Sequence, residues 1–239
     1  MARPQAVEES ILSVRSRIEA ACRRSKRDPS EVVLVAVTKT VPVEVIRQAR
    51  ALGVEHFGEN YANELAAKAP VIPGTWHFVG KVQSGTASRV ADHADVIHSC
   101  EPGRALRRVA RRAAAQGSEI RCLVQIDFSG GRQGVHPAQA ERFVEEATSL
   151  EGVRPVGLMT LPPWTGRAAD TRSYYASLRE LRDGLRAAWP EVVELSMGMS
   201  WDYHVAVEEG ATMVRVGTAL FGARPDVARR GAAASQAAP

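Results

Sequence analysis

Apolar residues fall along the chain in short runs that alternate with segments of helical periodicity. The run Val32 to Val37 is six residues long and valine-rich, which is typical of a strand buried on both faces. Residues 5–24 differ, because their apolar positions recur on one face of a helix. The pattern therefore predicts an N-terminal amphipathic helix and eight strands. The predicted strands are 32–37, 54–58, 76–80, 95–99, 120–127, 154–160, 192–197 and 212–217.

Proline and glycine mark the helices predicted between these strands. Proline opens three of them, at positions 42, 102 and 137, and glycine follows their ends near 53, 117 and 152. Strands that alternate with helices imply a parallel sheet, and eight such units favour a closed (β/α)₈ barrel of the TIM type. An open doubly wound sheet is the alternative, but it normally carries GxGxxG after its first strand, where this chain has VTKTVP.

Composition adds limits to this picture. The 239 residues are 45% hydrophobic and 24% charged, with a net charge of +4, as in an ordinary globular protein. The three cysteines lack CxxC spacing, and no apolar segment reaches the length of a membrane span or a signal peptide. We therefore expect a reduced, cytoplasmic protein. We expect one barrel domain over residues 1–224 and a disordered tail at 225–239, because the tail has few bulky apolar residues.

Neither the arginine-rich helix nor the histidines indicate a nucleic acid or a metal as a binding partner. The arginine-rich helical face at 104–112 is expected to be a solvated outer surface, because no aromatic residues interleave it as in nucleic-acid contacts. The histidines show no metal-ligand spacing with acidic or cysteine neighbours. We therefore expect no metal, no nucleic acid and no membrane among the partners.

Polar residues follow several predicted strands, at the edge where barrel active sites form. Ser200 follows the seventh strand, and Gly217 ends the eighth. Backbone amides at a helix start, a hydroxyl and a glycine suit a phosphate dianion, and barrels often bind phosphate after strands seven and eight. The alternative is that Gly198 and Gly217 only make tight turns and that Ser200 only caps a helix. The pattern alone leaves both readings open.

Two basic residues extend this candidate site. Arg215 lies inside the apolar strand TMVRVGT, where burial is costly unless the guanidinium is paired or used, and it faces the same side as Gly217. Lys39 lies just past the first strand. A lysine at a strand end is usually surface, but at a barrel mouth of low dielectric its pKa falls and the neutral amine can attack an aldehyde. A ligand with both a phosphate and an aldehyde is implied, and pyridoxal 5'-phosphate (PLP) fits.

Seven ordered motifs, from about residue 8 to 224, resemble those of the pyridoxal phosphate homeostasis protein family. They are AVTKT, HFGENYANE, WHFVGKVQS, DVIHS, GLMTLP, ELSMGMSWDYHVAV and TMVRVGTALFGAR. That family is similar to the barrel domain of bacterial alanine racemase. The resemblance implies that Lys39 holds PLP covalently as an internal aldimine, a Schiff base. It also implies the remaining cofactor contacts: Ser200, Gly217 and Thr218 at the phosphate, Arg215 at the pyridine nitrogen, and Asn60, His77 and Met159 along the ring pocket.

The resemblance also bears on whether the protein is an enzyme. A guanidinium beside the ring nitrogen disfavours the pyridinium and makes the ring a weaker electron sink. The second base of alanine racemase, a tyrosine, belongs to an additional domain, which we do not expect here. We therefore expect a monomeric, non-catalytic PLP-binding protein of PLP and amino-acid homeostasis, which could hand PLP to apoenzymes. A PLP-dependent racemase-like enzyme is one alternative, and a sugar-phosphate barrel enzyme is another.

The chain departs from the family pattern in three places. Gly85-Thr86 stands where the family usually has Asn-Lys, and DFSGGRQG at 127–134 replaces a stretch that favours an asparagine and Lys-Ser-Gly. Trp201 is unusually bulky for its position. These changes leave the lysine and phosphate motifs intact, but they put in question any second binding surface that the basic residues would serve.

Overall fold

The computed structural model describes residues 4–131 and 133–222, and in this part of the chain eight strands close into a parallel barrel in sequence order. Each strand begins and ends within two residues of its predicted limits. The (β/α)₈ fold class is therefore confirmed, whereas the predicted tail at 225–239 lies outside the described residues. The strands are β1 (Val33–Val37), β2 (His56–Glu59), β3 (Thr75–Phe78), β4 (Val96–Cys100), β5 (Ile120–Ile126), β6 (Val153–Thr160), β7 (Glu194–Ser196) and β8 (Met213–Val216).

Helices surround the barrel and follow its strands. They are α1 (Pro4–Ser25), α2 (Val43–Ala51), α3 (Ala62–Lys68), α4 (Ala87–His93), α5 (Arg104–Ala114), α6 (Ala140–Thr148), α7 (Arg172–Leu185), α8 (Tyr203–Glu208) and α9 (Thr218–Phe221). The additional helix α1 buries its predicted apolar face and packs against α2, α8 and α9. No helix in the described ranges is both long and apolar enough to cross a membrane.

The core has two layers of different character. Between the barrel and its helices the packing is apolar, with Phe57, Phe78 and Leu158 among the fully buried side chains. Inside the barrel, apolar residues mix with buried polar ones, including His77, His98 and Arg215. Because buried polar groups require hydrogen-bond partners, the interior polar residues restrict where side chains at the mouth of the barrel can lie.

Candidate functional site

A cavity of about 220 Å³ opens at the carboxyl ends of β1, β7 and β8. Five of the residues predicted to bind a cofactor line it, although they come from three separate strand ends. Its lining residues are Val37, Lys39, Val41, Met199, Ser200, Trp201, Arg215, Gly217, Thr218, Phe221 and Gly222. The barrel thus brings an amine, a guanidinium and a hydroxyl together around one small space.

Ser200 and Gly217 form the end of the cavity nearest α9. The Ser200 hydroxyl oxygen accepts hydrogen bonds from the backbone N–H groups of Gly217 and Ala219, both at 3.2 Å. A Cβ atom at position 217 would lie 3.3 Å from the carbonyl oxygen of Val37, so the absence of a side chain lets β8 approach β1 closely. Backbone amides, a hydroxyl and the start of a short helix therefore meet at the predicted phosphate position.

The turn between β7 and α8 is fixed by a buried carboxyl group that the sequence analysis did not identify. Asp202 accepts a hydrogen bond from the backbone N–H of Met199 at 2.7 Å, and its other oxygen accepts one from the Tyr175 hydroxyl of α7. Burial raises the pKa of Asp202, while the hydrogen bonds from Tyr175 and Met199 oppose that shift. These contacts hold the turn that presents Ser200 to the cavity.

Lys39 lies between two threonines whose positions are fixed by carboxylates. The Thr38 hydroxyl donates to Glu59 Oε1 at 2.7 Å, and the backbone N–H of Thr40 donates to Glu64 Oε2 at 2.7 Å. Thr40 has a φ angle of +62°, a left-handed conformation that β-branched residues rarely adopt. The hydrogen bond that Thr40 donates to Glu64 stabilises this conformation, and Lys39 is thereby held on both sides.

Lys68, at the end of α3, connects these carboxylates. Its ammonium group donates to the Thr38 carbonyl at 2.8 Å, to Glu59 at 2.7 Å and to Glu64 at 2.5 Å. Burial raises the pKa of Glu59, and its hydrogen bonds to Lys68 and Thr38 act in the opposite direction. We call Thr38, Glu59, Glu64 and Lys68 the Lys68 cluster. The cluster fixes the segment that carries Lys39.

Arg215 forms part of the cavity wall and is almost entirely buried, with 5% of its surface exposed. Its Nη1 donates to the Ser196 hydroxyl at 2.5 Å, and Nη2 donates to the Thr160 carbonyl at 3.0 Å. Burial lowers the pKa of Arg215 to about 10, so the guanidinium stays charged at neutral pH. None of the ion pairs found among residues 4–131 and 133–222 involves it. A ligand that accepts hydrogen bonds or carries negative charge would therefore be favoured beside it.

The structure does not bring the other three predicted residues into this cavity. Asn60 lines a neighbouring cavity of about 380 Å³ after β2 and β3. His77 is buried inside the barrel between two other histidines, and Met159 is buried in the interior apolar cluster. A linear sequence shows which residues lie near strand ends, but not how deep each side chain sits in the closed barrel. The contact of these residues with a cofactor ring stays a prediction from the resemblance.

An aromatic pair borders the cavity on its outer side. Trp201 lines the cavity, and Trp164, from the loop after β6, packs edge-on against it with ring centroids 4.2 Å apart. Trp164 is 63% exposed, so this pair stands at the solvent boundary. The bulky residue noted in the sequence at position 201 is thus one wall of the site.

Comparison with known proteins defines first the class of this barrel. The sequence profile of the alanine racemase N-terminal domain matches residues 13–225. The alanine racemase of Clostridium difficile in complex with cycloserine has a similar fold, with a TM-score of 0.70 at 16% identity, over 89% of this chain and 60% of the racemase. The chain is therefore a barrel of the alanine racemase N-terminal class.

Closer relatives define the family. The pyridoxal phosphate homeostasis proteins of Aquifex aeolicus and Pseudomonas aeruginosa are 36% and 37% identical to this chain, over 90% and 91% of it and 97% and 96% of theirs. PipY of Synechococcus elongatus, solved with PLP bound, is 36% identical with a TM-score of 0.79, over 90% of this chain and all of PipY. The chain belongs to the pyridoxal phosphate homeostasis protein family, as its seven motifs predicted.

Proposed function

We propose that this protein binds PLP in the cavity bounded by Lys39, Ser200 and Arg215, and that it takes part in PLP and amino-acid homeostasis. One observation carries the proposal: an amine, a charged guanidinium and a serine hydroxyl beside backbone amides, an arrangement that suits a phosphate, share a single cavity. Family membership and the PLP-bound structure of PipY support the same ligand.

The phosphate end fits a dianion by its hydrogen-bond arrangement. A serine hydroxyl has one hydrogen to donate and two lone pairs that can accept. Both acceptor positions of Ser200 are directed to amides of Gly217 and Ala219, so its hydrogen is left for a ligand oxygen. Gly217, whose N–H already donates to Ser200, caps α9, and Thr218 begins this helix, where the first backbone N–H groups have no partner within the helix. These groups would hold the phosphate of PLP.

Arg215 determines how the ring would be held. A guanidinium can only donate hydrogen bonds, so a ring nitrogen that faces it is an acceptor and carries no proton. PLP supplies an aldehyde for covalent attachment and a ring that withdraws electrons most strongly when its nitrogen is protonated. Arg215 would therefore favour retention of the cofactor over amino-acid turnover, in agreement with a carrier that has no catalytic residues of its own.

Lys39 is the residue that we propose forms the Schiff base. The sequence contains four lysines, and Lys39 is the one that lines this cavity. Lys68 is engaged in its buried cluster, and Lys81 lines other cavities. We further propose a monomer that transfers PLP to apoenzymes when an incoming amine displaces Lys39.

Spectroscopic titration tests the proposal. Purified protein is titrated with PLP while the visible absorption of a protonated Schiff base is recorded. Wild type and Lys81→Ala, the matched control at an exposed lysine, should both develop this absorption at saturating PLP, and Lys39→Ala should not. Equal absorption in Lys39→Ala would contradict the assignment of Lys39, and an absence of PLP binding by wild type would overturn the proposed function.

A further inference from the structure

A continuous chain of hydrogen bonds crosses the interior of the barrel behind Arg215. The Arg215 guanidinium contacts Ser196 Oγ at 2.5 Å, and Ser196 Oγ lies 2.7 Å from His98 Nδ1. His98 Nε2 is 2.7 Å from His77 Nδ1, and His77 Nε2 is 3.0 Å from His56 Nδ1. The chain thus leads from the cavity to His56, which begins β2 at the opposite end of the barrel. We call these residues the Ser196–His56 chain.

Donor and acceptor rules give this chain a direction. Arginine has no acceptor, so Ser196 accepts from Arg215 and can donate its own hydrogen to His98 Nδ1. A neutral imidazole that accepts at Nδ1 carries its hydrogen at Nε2, so His98 donates to His77. By the same reasoning His77 donates to His56. In this arrangement all three imidazoles are neutral Nε2–H tautomers, and every hydrogen bond has one donor and one acceptor.

The reverse arrangement would leave a buried group unsatisfied. If His98 carried its hydrogen at Nδ1, Ser196 would accept from both His98 and Arg215, and its own hydroxyl hydrogen would need another acceptor. Ser196 is fully buried, and within the described ranges its hydroxyl contacts only those two groups. Leaving a buried donor without a partner is unfavourable, and the forward direction is therefore the stable one.

The surroundings of the two inner histidines favour the neutral state that this direction requires. Burial lowers the pKa of His77 well below its usual value, and His56 and Arg121 contribute in the same direction. Burial also lowers the pKa of His98, as do His77, Arg215 and Arg121. A protonated imidazole carries hydrogen on both ring nitrogens. The additional hydrogen, on Nδ1 of His77 or His98, would point at the group that already donates to that nitrogen, and it would have no acceptor.

His56 is the end of the chain that solvent can reach. It is half-buried and lines a cavity at the amino-terminal end of the barrel, beside Arg15 and Glu55. Burial and Arg121 lower the pKa of His56, whereas Glu55 and Asp95 raise it. Its Nδ1 is occupied by His77, so its Nε2–H is the group left for solvent or a ligand.

We propose that Ser196, His98, His77 and His56 are positioning residues that hold the Arg215 guanidinium in one orientation through hydrogen bonds that all run from the cavity toward the amino-terminal end. The proposal deepens the proposed function, because the orientation of Arg215 determines how it meets the PLP ring. It also means that a change at His56 alters the hydrogen bonds beside Arg215, although the two residues lie at opposite ends of the barrel.

The direction of the chain is tested without any cofactor. Long-range ¹H–¹⁵N correlation spectra of wild-type protein at neutral pH distinguish protonated from unprotonated imidazole nitrogens. We expect His56, His77 and His98 to be neutral with the hydrogen on Nε2. A charged imidazole, or a hydrogen on Nδ1 of His77 or His98, would overturn the proposal.

Transmission along the chain is tested with His56→Phe, which removes the acceptor of His77 but keeps a planar ring. We expect the nitrogen chemical shifts of His98 to change, although His98 does not contact position 56. If position 56 acted only locally, the changes would stop at His77, and that result would contradict transmission along the chain.

Binding of PLP is tested with Ser196→Ala, in which Arg215 loses an acceptor. We expect the Kd to rise about tenfold, equivalent to about 1.4 kcal/mol. The matched control is Ser99→Ala. Ser99 is another buried serine, but its hydroxyl donates to the Gly80 carbonyl and does not belong to the Ser196–His56 chain. An equal Kd in Ser196→Ala and wild type would contradict the positioning role. Failure of wild type to bind PLP would instead contradict the proposed function. The ¹H–¹⁵N test of the direction of the hydrogen bonds needs no cofactor and would still stand.

Discussion

At the scale of single residues, the shape of the cavity depends on small groups at its phosphate end. Gly198 has a φ angle of +90°, and a Cβ there would come within 2.6 Å of the Ala206 Cβ and 2.8 Å of the Tyr203 Cα. Only glycine meets both the conformational and the spatial requirement at this position. The turn that carries Ser200 can therefore pass close to α8 without displacing it.

Ser200 provides the residue-scale prediction. In Ser200→Ala the amides of Gly217 and Ala219 lose their acceptor, and a bound phosphate loses a donor. We expect pyridoxine 5'-phosphate, which has the phosphate but no aldehyde, to bind about tenfold more weakly, a loss of about 1.4 kcal/mol. Isothermal titration calorimetry measures this change. Ser84→Ala, at a serine outside the cavity, is the control, and unchanged affinity in Ser200→Ala would argue against the phosphate assignment.

The sequence identified five cavity residues, because four of them follow or end a predicted strand and the fifth, Arg215, is a charged residue inside an apolar strand. It did not identify the Ser196–His56 chain. A spacing of 21 residues separates His56, His77 and His98, close to the length of one strand-helix unit, and could have suggested one interior layer. Donor and acceptor directions, however, depend on distances that only the closed barrel defines.

At the scale of elements, α3 fixes the loop between β1 and α2 through the Lys68 cluster. Lys68→Met would leave Glu59 buried without its cation, and one Glu59 oxygen already has no hydrogen-bond partner among the described residues. We expect a loss of about 3–5 kcal/mol in the free energy of unfolding, measured by urea denaturation. Lys68 contacts Thr38, so weaker Schiff-base formation should accompany this loss.

Two controls define the origin of that effect. Arg107→Ala breaks an exposed ion pair with Glu146 and should change stability by less than about 1 kcal/mol. The double variant Lys68→Met with Glu59→Gln removes the unpaired charge and should recover part of the loss. If the double variant is as unstable as the sum of its single variants, the ion pair is not the cause.

Helices and strands were predictable because burial on one or both faces leaves a periodic pattern in the sequence. Their side-chain depths were not predictable to the same extent. Register shifts occur between Ile97 and Cys100 and between Cys122 and Leu123, and such a shift changes which side chains point inward. Met159 is paired with Gln125 beyond the second shift, so its burial in the barrel interior depends on a feature that no local pattern reveals.

At the scale of the whole molecule, the interior histidines should make stability depend on pH. The pKa of His77 and that of His98 lie well below the usual value in the folded protein, so only the unfolded chain binds protons as the pH falls through about 6.5. The contribution of these histidines to the free energy of unfolding should therefore be fully present above about pH 6.5. At lower pH the free energy of unfolding should decrease by about 1.4 kcal/mol per pH unit for each histidine. Glu59 and Asp202 have raised pKa values and act in the opposite direction.

Comparison with His77→Gln isolates the histidine contribution. Urea unfolding at a series of pH values between 8 and 5 should give a slope of stability against pH that, below about pH 6.5, is smaller for this variant by about 1.4 kcal/mol per pH unit. An identical slope in wild type and His77→Gln would show that His77 is not neutral in the folded protein.

Covalent trapping tests the central claim most directly. Protein loaded with PLP is reduced with borohydride, digested, and mapped by mass spectrometry across its four lysines. We predict that the pyridoxyl group lies on Lys39. Modification of Lys26, Lys68 or Lys81 with Lys39 unmodified would contradict the proposed site.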